Sequence, residues 1–280
     1  MRAFINPRLE QRIVQVLLWL ATAITVSILI FIIYFVLKHG LPALSLGFLT
    51  RNPAEMGRSG GIFSTIVGTV ALTLIALLIA APLGVGTAIY LTEYTRENRV
   101  TRIIRFGASC LAGIPSIIFG LFGFILFVMA LGFGWSLLSG GLTLAFMLLP
   151  TIIRTSEEAI KAVPRSFREV SFSLGSTRWQ SVTRVVLPAA LPGIVTGIIL
   201  SIGRSIGETA AVIFTAGSAI HLPTSVFSSS RTMSVHFYIL AREGISMPNA
   251  YGTAAVLVLA ILIINLATYA MMNRFIKRFR

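Results

Sequence analysis

Arg204 and Glu208 stand four residues apart in the run ILSIGRSIGETAAVIF (residues 199–214), which is otherwise apolar or small. On a helix they share one face with Gly197 and Ser201. Because an arginine at the centre of a membrane helix costs about 2.5–3.5 kcal/mol, such a residue is by default a candidate for a transport path. A guanidinium stays protonated and forms paired hydrogen bonds with carboxylate or phosphate oxygens. The pair therefore predicts a site for an anion in transit.

Hydroxyl groups near this pair add possible hydrogen-bond donors, on Ser201, Ser205 and Thr209. Glu208 is expected to orient Arg204 and to keep binding transient, because conduction requires a site that also releases its ion. The alternative is a buried ion pair that only neutralises itself, although such a pair is weak support for stability. Arg154, near the end of another apolar run, is either a second anion station or an ordinary basic anchor at the membrane surface.

The composition is that of a membrane protein. The chain is 56% hydrophobic, has a mean hydropathy of +0.90 and carries only 11% charged residues, against about 25% in soluble domains. A membrane-spanning helix needs roughly 20 predominantly apolar residues. The apolar runs predict an all-α membrane protein with six transmembrane helices, at about 13–37, 62–91, 107–133, 140–156, 190–217 and 251–272.

The formal charge of +14 reflects the orientation of the chain in the membrane and does not indicate a nucleic-acid partner. Most of the 23 basic residues precede the first run, follow the sixth, or fall between the second and third and between the fourth and fifth. By the positive-inside rule these segments lie in the cytoplasm. We therefore expect both termini to be cytoplasmic.

Side chains that serve metal or covalent chemistry are scarce. Cys110 is the only cysteine, and His39, His221 and His236 lie at no metal-ligand spacing. None of the lysines follows a glycine, so the chain has no phosphate-binding loop of the Walker type. We expect a protein that is no enzyme, with no metal or cofactor of its own.

Two segments between the runs are predicted to shape the helices. Pro115, within AGIPSIIFGLFG, predicts a kink in the third span, either for packing or for bending during transport. Residues 157–189 predict a helix, a stop at Gly175, and a second helix that ends at Pro188. Ser176 or Thr177 can cap that second helix. The segment is expected to form a rigid projection for a cytoplasmic partner.

Residues 169–188 resemble the signature of ATP-binding-cassette (ABC) importer permeases: E-A-A, three residues, G, nine residues, I-x-L-P. Glu169, Gly175, Leu187 and Pro188 occupy matching positions. Val-Ser replaces Ala-Ala, and valine replaces isoleucine. The resemblance implies that this segment forms the coupling helices that dock into a separate ATPase subunit.

Three further stretches resemble the A-type permease subunit of Pst-type phosphate importers: AGIPSIIFGLFG (112–123), GRSIGETAAVIFTAG (203–217) and SVHFYILAREG (234–244). The similarity implies the type-I permease fold. Its domain is expected at 62–272, after an N-terminal transmembrane helix and external loop at 1–61 and before a basic cytoplasmic tail at 273–280. It also implies inorganic phosphate as the substrate, with Arg154, Arg204 and Glu208 on its path.

The same resemblance implies partners and a location. The partners are a second permease subunit of the C type, an ATPase dimer that holds ATP and Mg²⁺, and a periplasmic or lipid-anchored phosphate-binding protein. The location is the plasma (inner) membrane of a bacterium or archaeon, in contact with lipid. Three alternatives stay open: a permease of this fold for another oxyanion or a phosphonate, a membrane-embedded enzyme with Glu208 as general base, and a passive anion channel.

Overall fold

The computed structural model describes residues 7–95 and 97–278, which are mostly helical. Arg2, Arg96 and Arg280 lie outside the described residues, as do the side chains of the basic tail at 273–280. The α-helices of the described part are α1 (Pro7–Gly40), α2 (Leu46–Thr50), α3 (Phe63–Ile89), α4 (Arg99–Ala112), α5 (Ser116–Gly123), α6 (Leu137–Lys161), α7 (Arg165–Ser173), α8 (Arg178–Ser181), α9 (Leu187–Gly207), α10 (Ala210–Thr215), α11 (Met233–Arg242) and α12 (Met247–Arg278). The π-helical turns Tyr90–Tyr94, Phe124–Ala130 and Val182–Val186 extend α3, α5 and α8, the 3₁₀ turns Leu41–Ala43 and Glu55–Gly57 lie in the first connection, and β1 (Pro53–Ala54) pairs antiparallel with β2 (Ser59–Gly60).

Within the described residues, five helices are long and apolar enough to cross a membrane, and the bent pair α4–α5 makes a sixth crossing if it is counted as one span. Five of the predicted apolar runs correspond to α1, α3, α6, α9 with α10, and α12. The predicted helical membrane fold is confirmed, with five spans and a sixth only if α4–α5 crosses as one.

The third run departs from its prediction. It is not one kinked helix, because α4 and α5 meet at an angle of 103°. Pro115 stands directly before α5, and a proline disfavours the helical conformation in the residue before it. The basic connection between the second and third runs contains the start of α4. Asn98 caps that helix: its Oδ1 accepts from the Thr101 amide at 2.9 Å, and Thr101 Oγ1 accepts from the Asn98 amide at 3.0 Å.

The prediction that Pro188 ends a helix is wrong. Helical structure runs continuously from Arg178 to Gly207, and Pro188 lies in the first turn of α9. The π-helical turn Val182–Val186 directly precedes it. A π turn changes the register of the backbone hydrogen bonds, so the helix continues past a residue that has no N–H to donate.

The core lies where α3 and α6 pack together along their length. Leu72 and Ala76 of α3 are buried against Leu144 and Leu148 of α6. A face of small residues on α9 packs on the same helix: a Cβ added at Gly197 would collide with the Thr155 side chain of α6. Close approach of this kind is what small residues permit between membrane helices.

At the end of the bundle opposite α7, the β1–β2 hairpin is tied to α11 by a buried arginine. Arg231 is 3% exposed. Its Nε donates to the Ser218 carbonyl at 2.9 Å, and its Nη1 lies 3.4 Å from both the Met56 carbonyl oxygen and His236 Nδ1. Nδ1 can accept that hydrogen bond only in the neutral ring. The contact therefore depends on an uncharged His236.

We expect the folded state to weaken in mild acid because of His236. Burial, with a smaller contribution from the charge of Arg231, lowers the pKa of His236 from 6.5 to about 4. Between these values the unfolded chain binds a proton that the folded chain does not. The free energy of unfolding is therefore highest above pH 6.5 and falls by about 3 kcal/mol as the pH is lowered toward 4. The midpoint temperature of thermal unfolding in detergent should therefore fall as the pH is lowered from 6.5 toward 4. His236→Asn should remove this pH dependence, whereas His221→Asn, at an exposed position, should retain it; an unchanged slope in His236→Asn would contradict the assignment.

Candidate functional site

The fifth span breaks at Glu208. Helix α9 ends at Gly207, Glu208 is extended with φ −73° and ψ 128°, and α10 begins at Ala210. Two hydrogen bonds to other residues hold Glu208 in this conformation. Glu208 Oε1 accepts from the Ala211 amide at 3.2 Å, and Ser234 Oγ of α11 donates to the Glu208 carbonyl at 2.6 Å. The prediction that Glu208 continues the helix one turn beyond Arg204 is therefore wrong.

Arg204 projects from the last turn of α9 and is exposed on the surface of this chain. Among the described residues, no carboxylate lies within 4.0 Å of its guanidinium. The predicted ion pair with Glu208 is absent, because the chain turns away at Gly207 and the carboxylate caps α10 instead. Arg204 thus offers a full positive charge at a break in a membrane-spanning helix.

The two serines near Arg204 are used inside the subunit. Ser201 is fully buried, and its hydroxyl donates to the Gly197 carbonyl at 2.9 Å. Ser205 is 3% exposed, and its Oγ lies 3.1 Å from Thr73 Oγ1 of α3. This placement corrects the expectation that both serines donate to an anion beside Arg204. It also shows that α3 contacts α9 next to the arginine.

Thr209 lies on a different surface, in a mostly apolar groove of about 970 Å³ between α5, α10 and α11. Trp135 lines the same groove, and so does Arg242, whose Nη1 donates to Tyr238 Oη at 3.0 Å. Arg242 and Thr209 lie 33 positions apart in the sequence. Only the fold brings them to the same groove.

Arg154 is exposed on α6, four residues after Pro150, and lines a cavity of about 230 Å³ between α6 and α4. Its Nε lies 3.4 Å from Glu158 Oε1. Both side chains are largely exposed, so the pair contributes little to stability. The i, i+4 spacing of this pair is a signal that sequence reasoning missed. Arg154 is thus the arginine that has an acidic neighbour of the kind predicted for Arg204.

The same end of α6 carries a more buried ion network. Glu157 is 7% exposed, and its Oε1 lies 2.8 Å from Arg105 Nε of α4 and 2.6 Å from Lys161 Nζ. The network fixes α4 against α6 beside Arg154. An anion at Arg154 would therefore meet fixed charges of both signs.

The predicted break between two short helices is confirmed at Gly175. This residue has φ +79°, a conformation that glycine adopts without strain, and its amide donates to the Phe172 carbonyl at 2.9 Å. Thr177 then caps α8 through reciprocal hydrogen bonds with Gln180. Glu169 and Gly175 are exposed, as is Pro188, whereas Leu187 is partly buried.

An apolar cleft opens between α7 and α8. Phe167, Val170 and Leu174 recur at i, i+3 and i+7 and are 49%, 60% and 83% exposed. Together with Gly175 and Val185 they line a cavity of about 640 Å³; we call this surface the α7–α8 cleft. Sequence reasoning did not single out Phe167 or Leu174, although their helical spacing was a usable signal. A leucine exposed to this extent on a rigid turn favours a surface that a partner covers.

We expect Glu208→Gln to be tolerated and Glu208→Ala to be harmful. The amide oxygen of glutamine can still accept from the Ala211 amide, whereas alanine leaves that donor unpaired at a cost of about 1 kcal/mol. Substrate uptake and thermal unfolding of the two variants would be compared. Glu208→Gln should also be milder than any neutral replacement of Arg204. If glutamine is as damaging as alanine, the negative charge itself is required and the capping role is wrong.

Comparison with known proteins places this arrangement in a family. Residues 80–280 match the family described as "Binding-protein-dependent transport system inner membrane component". The "Probable ABC transporter permease protein YqgI" of Bacillus subtilis is 34% identical over 94% of this chain and 95% of its own length. The "Phosphate transport system permease protein PstA" of Xylella fastidiosa (strain Temecula1) is 31% identical over 85% of this chain and 84% of its own.

Solved structures share the fold at lower identity. The MetNI methionine ABC transporter in an inward-facing conformation aligns with a TM-score of 0.60 and 21% identity, over 77% of this chain and 94% of that chain. A bacterial alginate ABC transporter, in complex with an alginate-bound periplasmic protein, aligns with a TM-score of 0.65 and 16% identity, over 91% and 94%. The chain belongs to the family of binding-protein-dependent transport system inner membrane components, the multi-pass permeases of ABC importers.

Proposed function

We propose that this chain is the A-type permease subunit of an ATP-driven importer of inorganic phosphate and forms half of its translocation path. The observation that carries the proposal is Arg204, an exposed arginine at a break in a spanning helix, without a carboxylate partner among the described residues. Relatives at 31–33% identity are named as phosphate transport permeases, which supports phosphate as the anion. Phosphate suits the planar donor fork of a guanidinium.

In this proposal Arg204 binds phosphate during its passage between the two permease subunits. Glu208 does not compete for the guanidinium, because its carboxylate caps α10. Release of phosphate is therefore assigned to a change in conformation, in which the path opens to the other side of the membrane. Arg154, which already has an acidic neighbour in Glu158, is assigned the exit side.

The energy source is assigned to a partner. The α7–α8 cleft receives an ATPase subunit, and Glu169, Gly175, Leu187 and Pro188 belong to this coupling region. ATP and Mg²⁺ are held by the ATPase dimer, so this chain hydrolyses nothing itself. The end that carries α7 and α8, together with both chain termini, lies in the cytoplasm, in accord with its basic residues.

The remaining partners occupy the other faces. A second permease subunit, of the C type, covers the side of Arg204 and completes the path. A periplasmic or lipid-anchored phosphate-binding protein delivers phosphate at the end formed by residues 217–250 and the β1–β2 hairpin. The complex sits in the inner membrane of a bacterium.

Competition for uptake tests the assignment of the substrate. Radiolabelled phosphate is supplied to proteoliposomes that contain the whole complex, with unlabelled phosphate, sulfate, molybdate or a phosphonate as competitor. Only unlabelled phosphate should suppress uptake strongly. Equal suppression by sulfate or molybdate would point to a general oxyanion permease, and uptake that ignores ATP would point to a channel.

A further inference from the structure

Arg168 of α7 forms a partly buried ion pair with a residue at the end of α3. Its Nη2 lies 2.6 Å from Glu93 Oε1, and its Nε lies 3.1 Å from Oε1 and 3.3 Å from Oε2 of the same carboxylate. The side chains are 19% and 11% exposed. Contact through two guanidinium nitrogens holds the relative orientation of the two groups as well as their distance.

The same guanidinium also binds the end of α6. Nη2 donates to the Ile160 carbonyl at 3.0 Å, and Nη1 donates to the Val163 carbonyl at 2.8 Å. Carbonyls at the end of a helix have no partner within the helix, so a cationic side chain is a favourable donor for them. One side chain thus joins α3, α6 and α7.

Helix α8 is tied to the same point. Arg178 Nη1 donates to the backbone carbonyl of Glu93 at 3.1 Å. Glu93 lies in the π-helical turn Tyr90–Tyr94, and such turns frequently occur at functional sites. Both helices that line the α7–α8 cleft are therefore anchored to one residue at the end of α3.

Helix α3 continues from this anchor to the neighbourhood of the anion site. Thr73 of α3 meets Ser205 of α9 at 3.1 Å, one residue away from Arg204. A continuous physical connection thus runs from the cleft through Arg168, Glu93 and α3 to the break in the fifth span.

We propose that the Arg168–Glu93 pair is the mechanical link that makes α7 and α8 move together with the ends of α3 and α6, so that movement of the ATPase reaches the helices around Arg204. This inference rests on the proposed function. Arg168 acts here as a positioning residue. A buried ion pair is a poor source of stability but can fix one arrangement of the elements that it joins, and a fixed arrangement is what transmission of movement requires.

The experiment uses the whole complex in proteoliposomes and measures phosphate transported per ATP hydrolysed, together with the amount of ATPase that co-purifies. The principal variant is Arg168→Met/Glu93→Gln, because removing both charges leaves no unpaired buried charge. We expect its transport ratio to fall at least about tenfold while the ATPase still co-purifies. Arg168→Lys, which keeps the charge but not the paired geometry, should fall between this variant and wild type. Arg165→Met, at an exposed position of the same helix, should resemble wild type.

Each outcome decides the proposal. A ratio within about twofold of wild type in the double variant would overturn the link. Loss of the ATPase from a double variant whose two permease subunits still assemble would also overturn it, since the pair would then only hold the docking surface together. If the double variant does not assemble, Glu93→Gln alone, which leaves the bonds from Arg168 to α6 in place, must lower the ratio or the proposal fails. A wild-type complex that carries no phosphate would refute the proposed function and not this link.

Discussion

Arg204→Gln is expected to abolish phosphate uptake while the complex still assembles. Glutamine removes the charge and the paired donors, and charge-assisted hydrogen bonds to phosphate contribute enough that a loss of at least about 100-fold is expected. The fold should tolerate the change, because Arg204 is exposed and has no carboxylate partner among the described residues. Uptake in proteoliposomes and co-purification of the partner subunits measure the two effects separately.

Two companion variants sharpen this test. Arg204→Lys keeps the charge without the planar fork and should retain part of the uptake. Arg99→Gln removes an exposed arginine from α4, outside the candidate path, and should behave as wild type. Uptake by Arg204→Gln within about twofold of wild type would show that phosphate does not depend on this guanidinium.

Gly175→Val is expected to disrupt attachment of the ATPase. A Cβ at this position would meet no atom within 4 Å, so the harm comes from the backbone. With φ at +79°, a β-branched residue is strained by roughly 1–2 kcal/mol or more. The turn should relax to another conformation and move Leu174 and α8 out of register with the partner. We expect uptake to fall at least about tenfold, with weaker co-purification of the ATPase or with ATP hydrolysis that no longer drives transport.

A second substitution of Gly175 separates backbone strain from the loss of glycine itself. Asparagine tolerates positive φ better than valine, so Gly175→Asn should be the milder change. Gly107→Ala, at a helical glycine with open space around it, controls for the loss of a glycine as such. Normal uptake together with normal ATPase co-purification in Gly175→Val would remove the coupling role from this turn.

Features set by local backbone chemistry and hydropathy were predictable from the sequence. The long apolar helices follow from the length of their runs, and the stop at Gly175 follows from the freedom of glycine at positive φ. Each of these depends on residues close together in the chain.

Features set by contacts between distant residues were not predictable. Glu208 leaves the helix where Ser234 of α11, 26 positions away, donates to its carbonyl, and helical periodicity does not contain this contact. The Arg168–Glu93 pair joins residues 75 positions apart, so spacing gives no hint of it. The predicted helix end at Pro188 failed for a local reason, because the π-helical turn before it lets the helix continue.

The central claim is that a guanidinium at the broken fifth span binds phosphate on a path driven by a partner ATPase. It is tested most directly by phosphate uptake into proteoliposomes that contain the complete complex, comparing wild type with Arg204→Gln, with and without ATP and the binding protein. Uptake should occur only in wild type and only with both additions. Equal uptake by the variant, or uptake by wild type without ATP, would contradict the claim.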